Sequence, residues 1–260
     1  MKKTVMNWVA GLGLVAMGGV AQGAPIIFDD FNTNLGHFGY APNFASQSTG
    51  ESTPPATPVG TNERVETDSP LEGTGHQKLV LVHDGTTALM RIRHVSGAAP
   101  YGSGQAGVPA SNTPFTTSTG EDGFIGFYAK TSAANAGWTI GLNLDGGTAN
   151  AGADMDMGVA RSIIADGEWH LYEWNLDNDD DWVAVPSIGG DGTIQAGQHT
   201  VDSIYIFTNQ AGTAGQVRDP LFIDFVAKSD SGSIAALVPE PGAISLVGLA
   251  GLGLLRRRQK

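Results

Sequence analysis

The sequence predicts an all-β protein, an antiparallel sandwich, flanked by an N-terminal signal peptide and a C-terminal apolar helix. Three observations carry this. Eight or more short segments alternate apolar and polar residues or run apolar between turn residues, and no segment between the two ends shows an amphipathic helical repeat. The composition is rich in Gly (37 of 260 residues) and only 15% charged, which suits a loop-rich β-protein. Finally, no repeat of fixed period is visible, which argues against a propeller or solenoid.

Taken in chain order, Met1-Lys2-Lys3 is a positive start and Val5 to Val20 is apolar. Ala21-Gln22-Gly23 then supplies the small residues that a signal peptidase reads. Residues 1–23 are therefore expected to be removed on export, leaving a β-sandwich over 24–237 and a terminal segment over 238–260. The strands expected are Ile26 to Phe31, Lys78 to His83, Ala88 to His94, Phe124 to Lys130, Trp138 to Asp145, Trp169 to Leu176, Ser203 to Thr208 and Leu221 to Ala227. Trp138, Ile140, Leu142 and Leu144 share one face of their strand, which reads as half buried. Eight such strands without intervening helices predict a sandwich, and a jelly roll is the specific expectation. Asn43 to Thr61 and Ser96 to Gly123 read as long loops, either functional or disordered.

Composition also excludes chemistry. No Cys means no disulfide, thiolate nucleophile or zinc-thiolate site. Between the two end segments, eight basic residues stand against 25 acidic ones, a net charge of -17. Such a chain does not bind nucleic acid, which needs clustered Lys and Arg. It favours divalent cations instead. No His-x-His, His-Glu-x-x-His, Gly-x-Ser-x-Gly or phosphate-loop pattern occurs. Glu168 and Glu173 are the obvious carboxylate pair for a glycosidase, but their odd spacing puts them on opposite faces of a regular strand. Arg91 and His94 leave a polysaccharide lyase open.

At the C-terminus, Val238-Pro239-Glu240-Pro241 precedes an apolar run, 243–255, and then Arg256-Arg257-Arg258. The run enters a membrane and the arginines hold its end on the cytoplasmic side. This three-part tail resembles the PEP-CTERM sorting signal of Gram-negative bacteria, whose members are processed by the membrane enzyme exosortase. The resemblance implies transient insertion in the inner membrane, then delivery to the cell surface or extracellular matrix.

Phe28-Asp29-Asp30-Phe31, Phe222-Ile223-Asp224-Phe225-Val226, and the Trp-bearing segment Ala165 to Leu176 followed by Asp202 to Ile206 resemble jelly-roll carbohydrate-binding modules and related galactose-binding-like sandwiches. In that family the first and last strands lie side by side, and their acidic residues chelate a structural calcium. The resemblance thus nominates Asp29, Asp30 and Asp224 as Ca²⁺ ligands. Asp177, Asp179 and Asp181 reproduce the first alternating ligands of an EF-hand loop, but Trp182 stands where the turn Gly belongs and Ile188 where the bidentate Glu belongs. A solvated acidic turn is the competing reading there.

Sugar recognition needs aromatic platforms beside hydrogen-bonding side chains. Trp182, Tyr101, Tyr40 and Trp174 are the aromatic candidates, with Arg91, Arg93, His94 and Asn143 as polar partners. Arg91 and Arg93 share a strand face and either clamp an acidic sugar or pair with surplus carboxylates. Trp138, Trp169, Trp174 and Phe127 read as core. The expected function is non-catalytic binding of extracellular polysaccharide, with a purely structural matrix protein, or a lyase or glycosidase on the same fold, as alternatives.

Overall fold

A computed structural model describes residues 25–39, 42–44, 60–83, 90–95, 114–118, 123–146, 154–186, 189–208 and 210–238. Within them the chain builds two antiparallel sheets. The strands are β1 (Ile26–Asp29), β2 (Asn43–Phe44), β3 (Gly60–Val65), β4 (His76–Leu81), β5 (Met90–Val95), β6 (Phe115–Thr117) and β7 (Phe124–Thr131). They continue as β8 (Thr139–Gly146), β9 (Met155–Gly158), β10 (Arg161–Ser162), β11 (His170–Asn175), β12 (Trp182–Ala184), β13 (Gly197–Thr208) and β14 (Leu221–Ser229). The smaller sheet runs β11-β7-β14-β4-β3, with β1 also paired to β14. The larger runs β12-β9-β8-β13-β5-β2, with β10 on β8 and β6 on β13. This is the jelly-roll sandwich expected, and its first and last strands are neighbours, Ile26 opposite Lys228 and Ile27 opposite Ala227.

Alternation explains the packing. On β4, β7 and β14 the residues Leu79, Ile125, Phe127 and Ile223 turn inward, and on β5, β8 and β13 so do Ile92, Ile140, Leu142, Ile204 and Ile206, all in one buried cluster. Phe127 lies between Tyr172 and Trp174, with ring centroids 6.3 and 5.9 Å away. Each such side chain contributes about 1.5–3 kcal/mol by leaving water.

Differences from the sequence expectation have physical causes. Strand β3 was not expected because Gly60-Thr61-Asn62-Glu63-Arg64-Val65 is polar, as befits the edge strand that it is. Strands β2 and β6 lie inside the two segments expected to be loops, and β13 starts six residues before Ser203. Strand β8 is buried on both faces, not one. Outside the smaller sheet, a second cluster of Phe225, Ala227 and Ile234, with Leu71, Phe124, Tyr128, Leu171, Leu237 and Val238 against it, covers part of the outer face. Residues 1–24 and 239–260, and with them the signal peptide, the apolar 243–255 run, Pro239, Glu240, Pro241 and Arg256 to Arg258, lie outside the described residues. Among the described residues no helix is long and apolar enough to cross a membrane.

Candidate functional site

The part of the outer face that this second cluster leaves open carries a cleft of about 370 Å³. Three side chains build it, two from paired strands and one from the turn that leads into β11. Lys130 on β7 stands opposite Phe222 on β14. The β11–β7 register, with His170 opposite Ala129, sets Trp169 beside Lys130. Ala129 and Ile223 are core residues, so alternation turns Lys130 and Phe222 outward. The Lys130 ammonium lies 4.7 Å from the Trp169 ring centre and 5.1 Å from that of Phe222.

The β3–β4 connection forms one wall. Asp68 and Ser69 adopt the left-handed conformation there (φ 63° and 55°), an arrangement that costs a non-Gly residue about 1–3 kcal/mol unless its surroundings impose it. Here they do. The Trp169 indole N–H donates to the Ser69 carbonyl at 2.8 Å, and the Lys130 ammonium donates to the carbonyls of Asp68 and Ser69. Opposite, an Asp-Gly turn delivers Trp169: Gly167 has φ 87°, its N–H donates to the Thr131 carbonyl at 2.9 Å, and the Glu168 N–H donates to Asp166 at 2.9 Å. His76 lies beneath, fully buried, with its ring edge-on to Trp169 (5.3 Å) and Phe222 (5.1 Å).

Burial, reinforced by the nearby Lys130 charge, pushes the His76 imidazole down to about 4, so it is neutral at pH 7. Neither of its ring nitrogens has a hydrogen-bond partner among the described residues. Burial also lowers the Lys130 pKa, against the pull of Asp68, Glu168 and Asp224. The ammonium is thus spent inside the wall. What faces an incoming molecule is half-buried indole and phenyl surface, rimmed by the exposed Asp68 and Glu168 and by Ser132, whose hydroxyl donates to Asp219 at 2.6 Å.

Trp169 was expected in the core, and its place in the cleft corrects that reading. The signal was present: Trp169 and Trp174 are five residues apart, so on one strand they face opposite ways, and Trp174 is the core residue. Trp182 was expected at a sugar and is buried in the core instead, its indole N–H donating to the Asn175 carbonyl at 2.9 Å. His94 likewise faces inward, bonded to Gln77 at 3.0 Å, which separates it from the positions of Arg91 and Arg93. Those two stand opposite Phe207 and Tyr205 on β13. Their side chains, and the whole of Tyr101 and Tyr40, lie outside the described residues. Asn143 donates to the Ser203 hydroxyl at 3.0 Å.

The acidic candidates are engaged separately. Asp29 accepts from the His37 backbone N–H, with the His37 ring nitrogen 3.1 Å from its carboxylate, and burial raises its pKa. Asp30 accepts from the Asn32 N–H at 3.0 Å. Asp224 is fully buried, accepts from the N–H groups of Leu71 and Phe225, and is pushed by burial up to about 7. In the acidic turn, Asp177 accepts from the Gly123 N–H and Asp181 from Arg161 and the Asn175 N–H, while Asp179 is exposed. Among the described residues no three His, Asp or Glu side chains converge as a metal site. Sequence reasoning also passed over Glu72, whose charge raises the Asp224 pKa further.

No protein-family model matches the chain, and no curated protein matches it in sequence. Its fold is similar to the family 11 carbohydrate-binding module of the cellulosomal cellulase Lic26A-Cel5E of Clostridium thermocellum, at 13% identity and a TM-score of 0.43, over 81% of this chain and 96% of that one. It is also similar to a family 11 module from Clostridium thermocellum in complex with a β-1,3-1,4-mixed-linked tetrasaccharide, at 12% identity and a TM-score of 0.44, over 83% and 99% of the two chains.

Proposed function

We propose that this protein is an exported, non-catalytic glycan-binding sandwich, delivered to the cell surface or matrix by its two end segments. One observation carries the binding reading: an open cleft in which Trp169 and Phe222 present apolar ring surface beside carboxylate and hydroxyl groups. A pyranose has the same two-sided character, an apolar C–H face and a polar rim, and stacks its C–H face on an aromatic ring. The size suits one or two sugar units of a longer chain, since ligand sites run from about 300 Å³ upward.

A thermal melt of residues 24–237 across a panel of soluble polysaccharides tests this, because a ligand that binds only the native state raises the midpoint. The expected result is a polysaccharide-specific rise that Trp169→Ala removes while leaving the unliganded protein folded. A rise that survives Trp169→Ala moves the site elsewhere, and no rise with any polysaccharide favours a structural matrix component. For sorting, replacing Pro239-Glu240-Pro241 with alanines is expected to trap the uncleaved chain in the inner membrane.

A further inference from the structure

Resting on that reading, we infer that the cleft takes uncharged glycan chains and turns away carboxylated or sulfated ones. The argument is one of charge at the mouth. Lys130 is the one cation among the lining residues, and its ammonium points into the wall, donating to the carbonyls of Asp68 and Ser69 between two aromatic rings. It is 8% exposed, and two of its three donors are taken by those carbonyls. The next cation along the same row, Lys78 opposite Phe222, is paired with Glu63 at 2.8 Å. Arg64, from the same β3–β4 region, is committed to Glu66 and to the carbonyls of Phe31 and Asn32.

Against these committed cations stand exposed carboxylates. Asp68 and Glu168 line the cleft. Asp166 flanks it beside Gly167, and Asp219 flanks it through its bond to Ser132. A uronate or sulfate stacked on Trp169 would sit within reach of several like charges, and the one cation beside that ring, Lys130, is buried and shared between two carbonyls. At ionic strength near 0.1 M the screening length is about 10 Å, so that repulsion acts across a site of this size. A neutral hydroxyl, in contrast, donates to Asp68 or Glu168 in a charge-assisted hydrogen bond.

The test compares polymers that share a backbone and differ in charge: hydroxyethyl against carboxymethyl cellulose, and guar against carboxymethyl guar. Binding to residues 24–237 is measured by affinity electrophoresis and calorimetry at low and high salt. The expected result is retention by at least one neutral polymer and roughly tenfold or weaker binding of its carboxylated partner, a gap that narrows in high salt. Glu168→Gln should narrow the gap at low salt and Glu168→Asp should keep it, which separates a local effect from the net charge of the domain. Equal or tighter binding of a carboxylated polymer overturns this inference and leaves the glycan reading standing. Retention by none of the four, together with no response in the polysaccharide panel above, overturns the glycan reading and the inference with it.

Discussion

The Tyr205 ring occupies the space that a side chain at Gly141 would need. The two residues are directly opposite on β13 and β8, and a Cβ built at 141 would stand 2.0 Å from the Tyr205 Cζ. The phenol passes over the glycine and donates to the Gly158 carbonyl, and burial pushes its pKa up. Gly141→Ala is therefore expected to cost about 1–3 kcal/mol through overpacking, a fall of several degrees in the melting midpoint for a domain of this size. Calorimetry showing a loss below about 0.5 kcal/mol would mean that the ring is free to lift away.

Lys130 is expected to act as a clamp on the β3–β4 connection. Its donors, with the Trp169 indole, hold two consecutive left-handed residues, Asp68 and Ser69. Lys130→Ala should release them, so limited proteolysis should cut between residues 66 and 75 several times faster than in the parent. An unchanged cleavage rate would show that the conformation of Asp68 and Ser69 does not depend on the ammonium.

His94 makes folding sensitive to acid. Burial drives its folded-state pKa down to about 3 from 6.5, so the unfolded chain binds the extra proton between those values. Stability is whole above about pH 6.5 and declines as pH falls, by on the order of 3 kcal/mol at pH 4. His94→Gln, which retains a partner for Gln77, should give a flatter profile between pH 7 and 4. Parallel profiles for the two proteins would refute the assignment.

Asp224 works in the opposite sense. Its folded-state pKa of about 7 lies above the unfolded 3.8, so the folded state holds the proton longer and stability falls as pH rises from about 4 to 7. Relative to the parent, Asp224→Asn should gain on the order of 2 to 3 kcal/mol between pH 5 and 8. Urea midpoints at the two pH values measure this, and a constant difference would sink it. Because Asp224 and His94 oppose each other, the parent profile alone is the less informative one.

The central strands were legible because their core-facing positions carry large apolar residues at every second place, while the positions between are mostly small or polar, even where both faces are covered. Phe124–Thr131, Thr139–Gly146 and Leu221–Ser229 all fall within a few residues of where that period puts them. Polar Gly60–Val65 carries no such imprint because an edge strand has only one partner to satisfy. The cleft was harder to see. It joins Trp169, Lys130, Phe222 and Asp68, residues up to 154 positions apart that only strand pairing brings together. Parity alone marks Trp169 as facing away from Trp174, but no local pattern says that Lys130 will be its neighbour. Trp182 shows the converse: its acidic surroundings read as a surface turn, yet the strand that starts there folds the indole inward.

β14 lies at the middle of the smaller sheet, between β7 and β4, and β13 lies at the middle of the larger, between β8 and β5. Both come from the last quarter of the domain, so neither sheet can be completed from its earlier strands alone. Assembly must await the end of the chain, and the long loops that then close make it intrinsically slow. Until those strands are made both sheets stay open, and export of the kind proposed above would act on the chain in that state.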